Sequence, residues 1–119
     1  MAGRETGVGA VVNILDVAAS DSRSSSDSSK AGPGYLASKR ALLDFSRSAA
    51  ANFAATLRVN AVAPGPVLAP TDVHVKAGAT LLDRRPTAGD VAAAVSYLLA
   101  AESVTGAIIP VDAGQHLVK

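Results

Sequence analysis

Leu57-Arg58-Val59-Asn60-Ala61-Val62-Ala63-Pro64-Gly65 begins as a strand and ends on a Pro-Gly stop. Leu57 to Ala63 is small and β-branched, and Pro64-Gly65-Pro66 closes it. Before it, from Tyr35 to about Ala55, Leu42, Phe45, Ala49 and Phe53 recur at helical spacing, with Lys39, Arg40, Asp44 and Arg47 between them. Gly32-Pro33-Gly34 breaks any helix and resets the chain just ahead of Tyr35. After it, Thr87 with Asp90 three residues on predicts the start of a helix to about Ala101, carrying Val91, Val95, Leu98 and Leu99. Thr105-Gly106 then turns the chain into a strand at Ala107 to Val111. Upstream, Val8 to Leu15 is a short apolar run that reads as a strand buried on both faces. Strand, helix, strand, helix, strand in that order predicts an α/β fold: three parallel strands joined by right-handed crossover helices.

The predicted first helix carries a chemically suggestive pair. In Tyr35-Leu36-Ala37-Ser38-Lys39 a phenol and an ammonium stand one turn apart on the same face. A free phenol, with a pKa of about 10, is a poor acid or base near neutrality. A lysine cation beside it would favour the phenolate, lower that pKa and fit it for general acid–base work. The bland alternative is an exposed lysine next to a half-buried tyrosine.

Composition narrows the field. The chain has 119 residues, enough for at most one domain with a modest core. Hydrophobic residues make up 49%, mostly Ala and Val, which suits close helix-on-sheet packing and argues against disorder. A formal charge of +1, with scattered basic residues, leaves no footprint for nucleic acid. No cysteine means no disulfide framework and no thiol chemistry. No apolar run is long enough to span a bilayer, and the start of the chain lacks the basic-then-apolar order of a signal peptide, so a cytoplasmic protein with no membrane partner is expected. Ser20 to Ser29 is a low-complexity serine tract that cannot bury apolar surface and reads as a solvated loop.

Four motifs in order, Ala10-Val11-Val12-Asn13-Ile14, Tyr35-x-x-x-Lys39, Val59-Asn60-x-x-x-Pro64-Gly65, and Thr105-Gly106 followed by Val111-Asp112-Ala113-Gly114, resemble the short-chain dehydrogenase/reductase family. The resemblance runs from about Gly9 to the C-terminus. It implies that Tyr35 is the proton donor or acceptor at the reacting carbon, and that Lys39 tunes it and holds the nicotinamide ribose. Pro64, Gly65 and the backbone around Val67 would face the nicotinamide carboxamide. The family often has a threonine four residues after this glycine; Ala69 stands there, with Thr71 slightly displaced. The third catalytic position has two candidates. The strand end places Asp16 there, as in pteridine and dihydromonapterin reductases, where a carboxyl can relay a proton; the family's usual separation from the tyrosine lands on Ser22 instead. The strand end is the firmer anchor, because burial pins strand register while loops accept insertions. A turn-forming Asp16 without chemistry is the other reading. The ending Val111-Asp112-Ala113-Gly114-Gln115-His116-Leu117 is similar to the same subgroup, although Ala113 departs from the usual Asp-Gly-Gly.

The resemblance therefore implies hydride transfer from NADPH, with NADH as the alternative, to a C=N or C=O bond of a pterin-like substrate. Asn60 is expected to be structural, a buried amide that bonds nearby backbone. His74 and His116 lack partners at metal-ligand spacing and read as solvated histidines. Val67 to Arg85 would be the substrate loop. The glycine-rich turn that seats a dinucleotide pyrophosphate is not recognisable: Thr6-Gly7-Val8-Gly9 runs straight into a strand, with no strand before it and no helix after it. The expectation is a single partial Rossmann-like domain over 1–119, the catalytic half of a longer fold. Its first strand would be a bare apolar edge, and the Tyr35 helix would carry apolar surface into a homo-oligomer. The rival reading is a non-catalytic fragment or interaction module.

Overall fold

A strand of small side chains sets the architecture. The computed structural model describes residues 8–17, 33–67 and 80–118. Strand β1 (Gly9–Ile14) leads to helix α1 (Pro33–Asn52), strand β2 (Leu57–Pro64), helix α2 (Ala88–Ala100) and strand β3 (Ile108–Val111), followed by one 3-10 turn over Gln115–Leu117. The sheet is parallel in the order β1-β2-β3, with Ile14 opposite Val62 and Pro64 opposite Val111. This is the predicted partial Rossmann-type arrangement.

β2 lies between two strands and two helices, and Ala61, Val62 and Ala63 are fully buried. The odd-numbered side chains meet α1: Leu43 packs with Ala61 and Ala63, and Ala49 and Ala50 pack with Val59. The even-numbered ones point the other way, toward α2 and the turn after it. Asn60, 1% exposed, donates from Nδ2 to the Val104 carbonyl at 2.9 Å and accepts from the Ala107 N–H at 2.9 Å. It is the structural amide that the sequence suggested.

α2 starts where predicted. Thr87 accepts from the Asp90 N–H at 3.1 Å, and Asp90 accepts from the Thr87 N–H at 2.9 Å, a complete capping box. Its last turn has no basic residue of its own. Arg58 reaches across from β2 instead: Nη1 donates to the carbonyls of Leu98 (2.9 Å) and Ala101 (2.7 Å), and Nη2 donates to Leu99 (2.9 Å). A cation satisfying the orphan carbonyls at a helix C-terminus is favourable by both hydrogen bonding and dipole.

Three expectations need correction. β1 is not buried on both faces: Val11 and Ile14 are 37% and 43% exposed, because it lies at the sheet edge, with β2 its one pairing strand among the described residues. α1 starts at Pro33 rather than at Tyr35, since proline's fixed φ and missing N–H suit the first helical position. It also stops at Asn52, where the N–H groups of Thr56 and Leu57 both turn back onto the Phe53 carbonyl. The buried face of α1 is Leu36, Leu43, Ser46, Ala49 and Ala50, whereas Phe45 and Phe53 are 60% and 49% exposed. The methyl-sized surface of β2 draws the small residues of the helix inward and leaves the rings outside. No helix among the described residues is long and apolar enough to cross a membrane.

Arg58→Met keeps the aliphatic stem but removes the cap. It is expected to destabilise the fold by about 2 kcal/mol in urea unfolding, as loss of several charge-assisted bonds would.

Candidate active site

Parallel strands deliver their C-terminal ends to one edge. β1 ends at Ile14, β2 at Pro64 and β3 at Val111, so the residues that follow, Asp16, Gly65 and Asp112, line up there. Crevices at this edge are where open α/β sheets bind ligands. Helix α1 begins beside it and brings Tyr35 and Lys39.

The Tyr35 hydroxyl donates to Asp16 Oδ2 at 3.0 Å. Lys39 Nζ lies 5.7 Å from the centre of the Tyr35 ring and donates to the Ile14 carbonyl at 3.3 Å. The structure thus brings together the three residues proposed as catalytic. Ser22, the competing third position, lies outside the described residues, as do Ala69, Thr71, His74 and the Thr6-Gly7 turn.

The predicted electrostatics is reversed. The Tyr35 phenol sits above its ordinary value of 10.0, first because partial burial disfavours the phenolate, then because the neutral form donates to Asp16, then because the carboxylate repels a second negative charge. Lys39 spends a bond on the Ile14 carbonyl, and the carboxylate in direct contact outweighs it. Tyr35 therefore holds its proton at neutrality, as a proton donor must.

Pro64, Gly65 and Val67 form the floor on the β2 side. Gly65 donates to the Val111 carbonyl at 3.0 Å, and Val67 donates back to the Gly65 carbonyl at 2.9 Å. A Cβ at Gly65 would stand 2.7 Å from Asp112 Cβ and 2.9 Å from Asp112 Cα, so no other residue fits this close approach. Arg85 donates to the Pro66 carbonyl at 3.1 Å, which ties together the two described ends of the predicted substrate loop.

The C-terminal turn holds what the sequence reading missed. Asp112 is 2% exposed. Its carboxylate accepts from the Gly114 N–H (3.1 Å), the His116 N–H (2.7 Å) and His116 Nδ1 (2.8 Å). His116 is thus a half-buried partner of a buried carboxylate rather than a solvated histidine. Its position four residues after an aspartate that ends a strand was the available signal. Ala113, where the family usually has glycine, is held at φ 52°, and its carbonyl accepts the N–H groups of Leu81 and Leu82, both at 2.9 Å.

A nicotinamide ring and its ribose fit these residues chemically. An ammonium has three N–H donors, and the Ile14 carbonyl takes one, so Lys39 can also serve ribose hydroxyls.

The family model described as "Enoyl-(Acyl carrier protein) reductase" matches residues 4–116. The chain belongs to the short-chain dehydrogenase/reductase family. It is 38% identical over 122 residues to cis-4-hydroxycyclohexanecarboxylate dehydrogenase of Sinomonas cyclohexanicum, covering 91% of this chain and 45% of that protein. It is 36% identical over 88 residues to dihydromonapterin reductase of Escherichia coli, covering 70% and 37%. The short-chain dehydrogenase/reductase homolog YusR of Bacillus subtilis is 35% identical over 115 residues, covering 92% of this chain and 84% of its own. Among solved structures, FolM alternative dihydrofolate reductase 1 from Brucella canis, complexed with NADP, superposes with a TM-score of 0.75 at 36% identity, covering 94% of this chain and 43% of that one. The chain thus spans less than half the length of several proteins it matches.

Two outcomes follow from this geometry. In Tyr97→Phe, which leaves Tyr35 as the sole tyrosine, the phenolate absorbance should rise with a midpoint above 10, and Asp16→Asn should bring it down. Because the folded pKa is raised, the stability this proton contributes is complete below about pH 10 and is lost as pH climbs through the folded value; unfolding midpoints should fall only in that alkaline window. Separately, Ala113→Gly should stabilise the chain by about 1 kcal/mol in urea unfolding, since glycine adopts positive φ without strain.

Proposed function

We propose that this chain carries the catalytic half of an NADPH-dependent reductase acting on a pterin-like C=N or C=O bond. The observation that carries the reading is the hydroxyl of Tyr35 donating to Asp16 at 3.0 Å, with Lys39 one turn on. Bound NADPH would supply the hydride. Tyr35, protonated at neutrality, would deliver the proton, and Asp16 would pass a replacement from solvent or hold a pterin N–H. Lys39 would orient the ribose, while Pro64, Gly65 and Val67 would face the carboxamide.

Support for a pterin comes from the two reductases to which the chain is 36% identical, one a dihydromonapterin reductase and one a FolM alternative dihydrofolate reductase. The latter structure holds NADP, whereas a short chain dehydrogenase from Mycobacterium paratuberculosis, 28% identical with a TM-score of 0.72, holds NAD. NADPH is therefore the first cofactor to test and NADH the second. We read residues 1–119 as one partial Rossmann-like domain, cytoplasmic, that self-associates through α1, where Phe45 is 60% exposed.

A second reading, a non-catalytic interaction module, is favoured by the bare β1 edge with Val11 and Ile14 exposed. Titrating the purified chain with NADPH, followed by nicotinamide fluorescence, separates the two. The reductase reading expects saturable binding, then turnover of a dihydropterin that falls at least about a hundredfold in Tyr35→Phe. Absence of binding at millimolar cofactor, or full turnover in the variant, would overturn it in favour of the module.

A further inference from the structure

The Asp112–His116 pair has no part in the reaction as written, yet it touches the floor of the site. Gly65 lies against Asp112 so closely that a Cβ would meet both Asp112 Cβ and Cα, with Gln115 Oε1 at 3.3 Å. The position of Gly65 is therefore dictated by the course of residues 111–115. The Asp112 side chain is one of the groups that hold that course. Ala113 sits in the left-handed region, which an L-residue leaves unless something holds it. Backbone bonds hold it in part, the Leu81 and Leu82 N–H groups on its carbonyl and the Gln115 N–H on that of Asp112; the rest are three bonds to the Asp112 carboxylate, one from Gly114 and two from His116, of which the imidazole Nδ1 at 2.8 Å is the only one made by a side chain. A carboxylate at 2% exposure has little water to replace a lost donor.

We propose that His116 is a positioning residue for the cofactor turn: through Asp112 it fixes where the Gly65 backbone stands, and so sets the affinity for the nicotinamide end of the cofactor. The link to affinity rests on the reading of Pro64 to Val67 given above; the link from His116 to Gly65 does not. Removing the imidazole donor leaves one oxygen of a buried carboxylate with a single backbone donor, loosens the turn at Ala113, and lets the Asp112 wall behind Gly65 shift. Asparagine places its Nδ2 the same number of bonds from the backbone as histidine's Nδ1, so it can take over the donation.

The test compares His116→Phe, His116→Asn and the unaltered chain by the Gly65 amide resonance in nitrogen-edited NMR, by NADPH titration and by thermal unfolding. The expected result is a displaced Gly65 resonance in His116→Phe with NADPH binding weakened on the order of tenfold. His116→Asn should restore both. A general loss of fold would lower the unfolding temperature and disturb amides in β1 as much as Gly65, and asparagine would not rescue it. A Gly65 resonance that stays in place in His116→Phe overturns the proposal, as does unchanged NADPH affinity in that variant. If no form of the chain binds NADPH, the reductase reading falls, and the Gly65 resonance alone still decides whether His116 positions the turn.

Discussion

The close approach of α1 to β2 is the constraint on which the remaining structure depends. Ala61 and Ala63 present only methyl groups to the helix, and Ala49 and Ala50 answer from the other side. Two small-residue surfaces can bring backbones closer than leucine or phenylalanine would allow, and close packing makes such contacts unforgiving of added volume. Because α1 carries Tyr35 and Lys39 and β2 ends at Pro64 and leads straight into Gly65, this one contact fixes both sides of the candidate site relative to each other. The phenol meets Asp16 at the end of β1 because β1 is in turn held in register on β2.

How far the sequence could be read depended on whether a feature is local. The capping box of Thr87 and Asp90 is complete within four residues, and it was legible to the residue. The strands were found to within one or two residues, since Pro64-Gly65 and Thr105-Gly106 punctuate them. The face of α1 was not legible in the same way. Leu42, Phe45, Ala49 and Phe53 have the same helical period as Leu36, Leu43, Ser46 and Ala50, and only the size of the facing side chains on β2 selects between them. Arg58 was silent because the carbonyls it serves lie at least 40 positions further along the chain.

The site shows the same division. Spacing placed Tyr35 and Lys39 on one face, and the strand end supplied Asp16; the sign of the perturbation at Tyr35 could not follow from spacing. It depends first on how far the phenol is buried, and then on the carboxylate coming within hydrogen-bonding reach while the ammonium turns to the Ile14 carbonyl. A tyrosine beside a serine and a lysine is one electrostatic object, and a tyrosine beside an aspartate and a lysine is another. The second keeps its phenol protonated to higher pH.

The cap that Arg58 places on α2 has a consequence for how the molecule opens. A helix finished by its own residues can fray and re-form independently of its neighbours. The last turn of α2 is finished by a side chain rooted in the central strand, and Asn60 on the same strand holds Val104 and Ala107 in the turn that follows. The amides of β2, the end of α2 and the start of β3 then belong to one cooperative opening unit. In hydrogen exchange they would share a single protection level, with β1, at the edge of the sheet among the described residues, exchanging sooner.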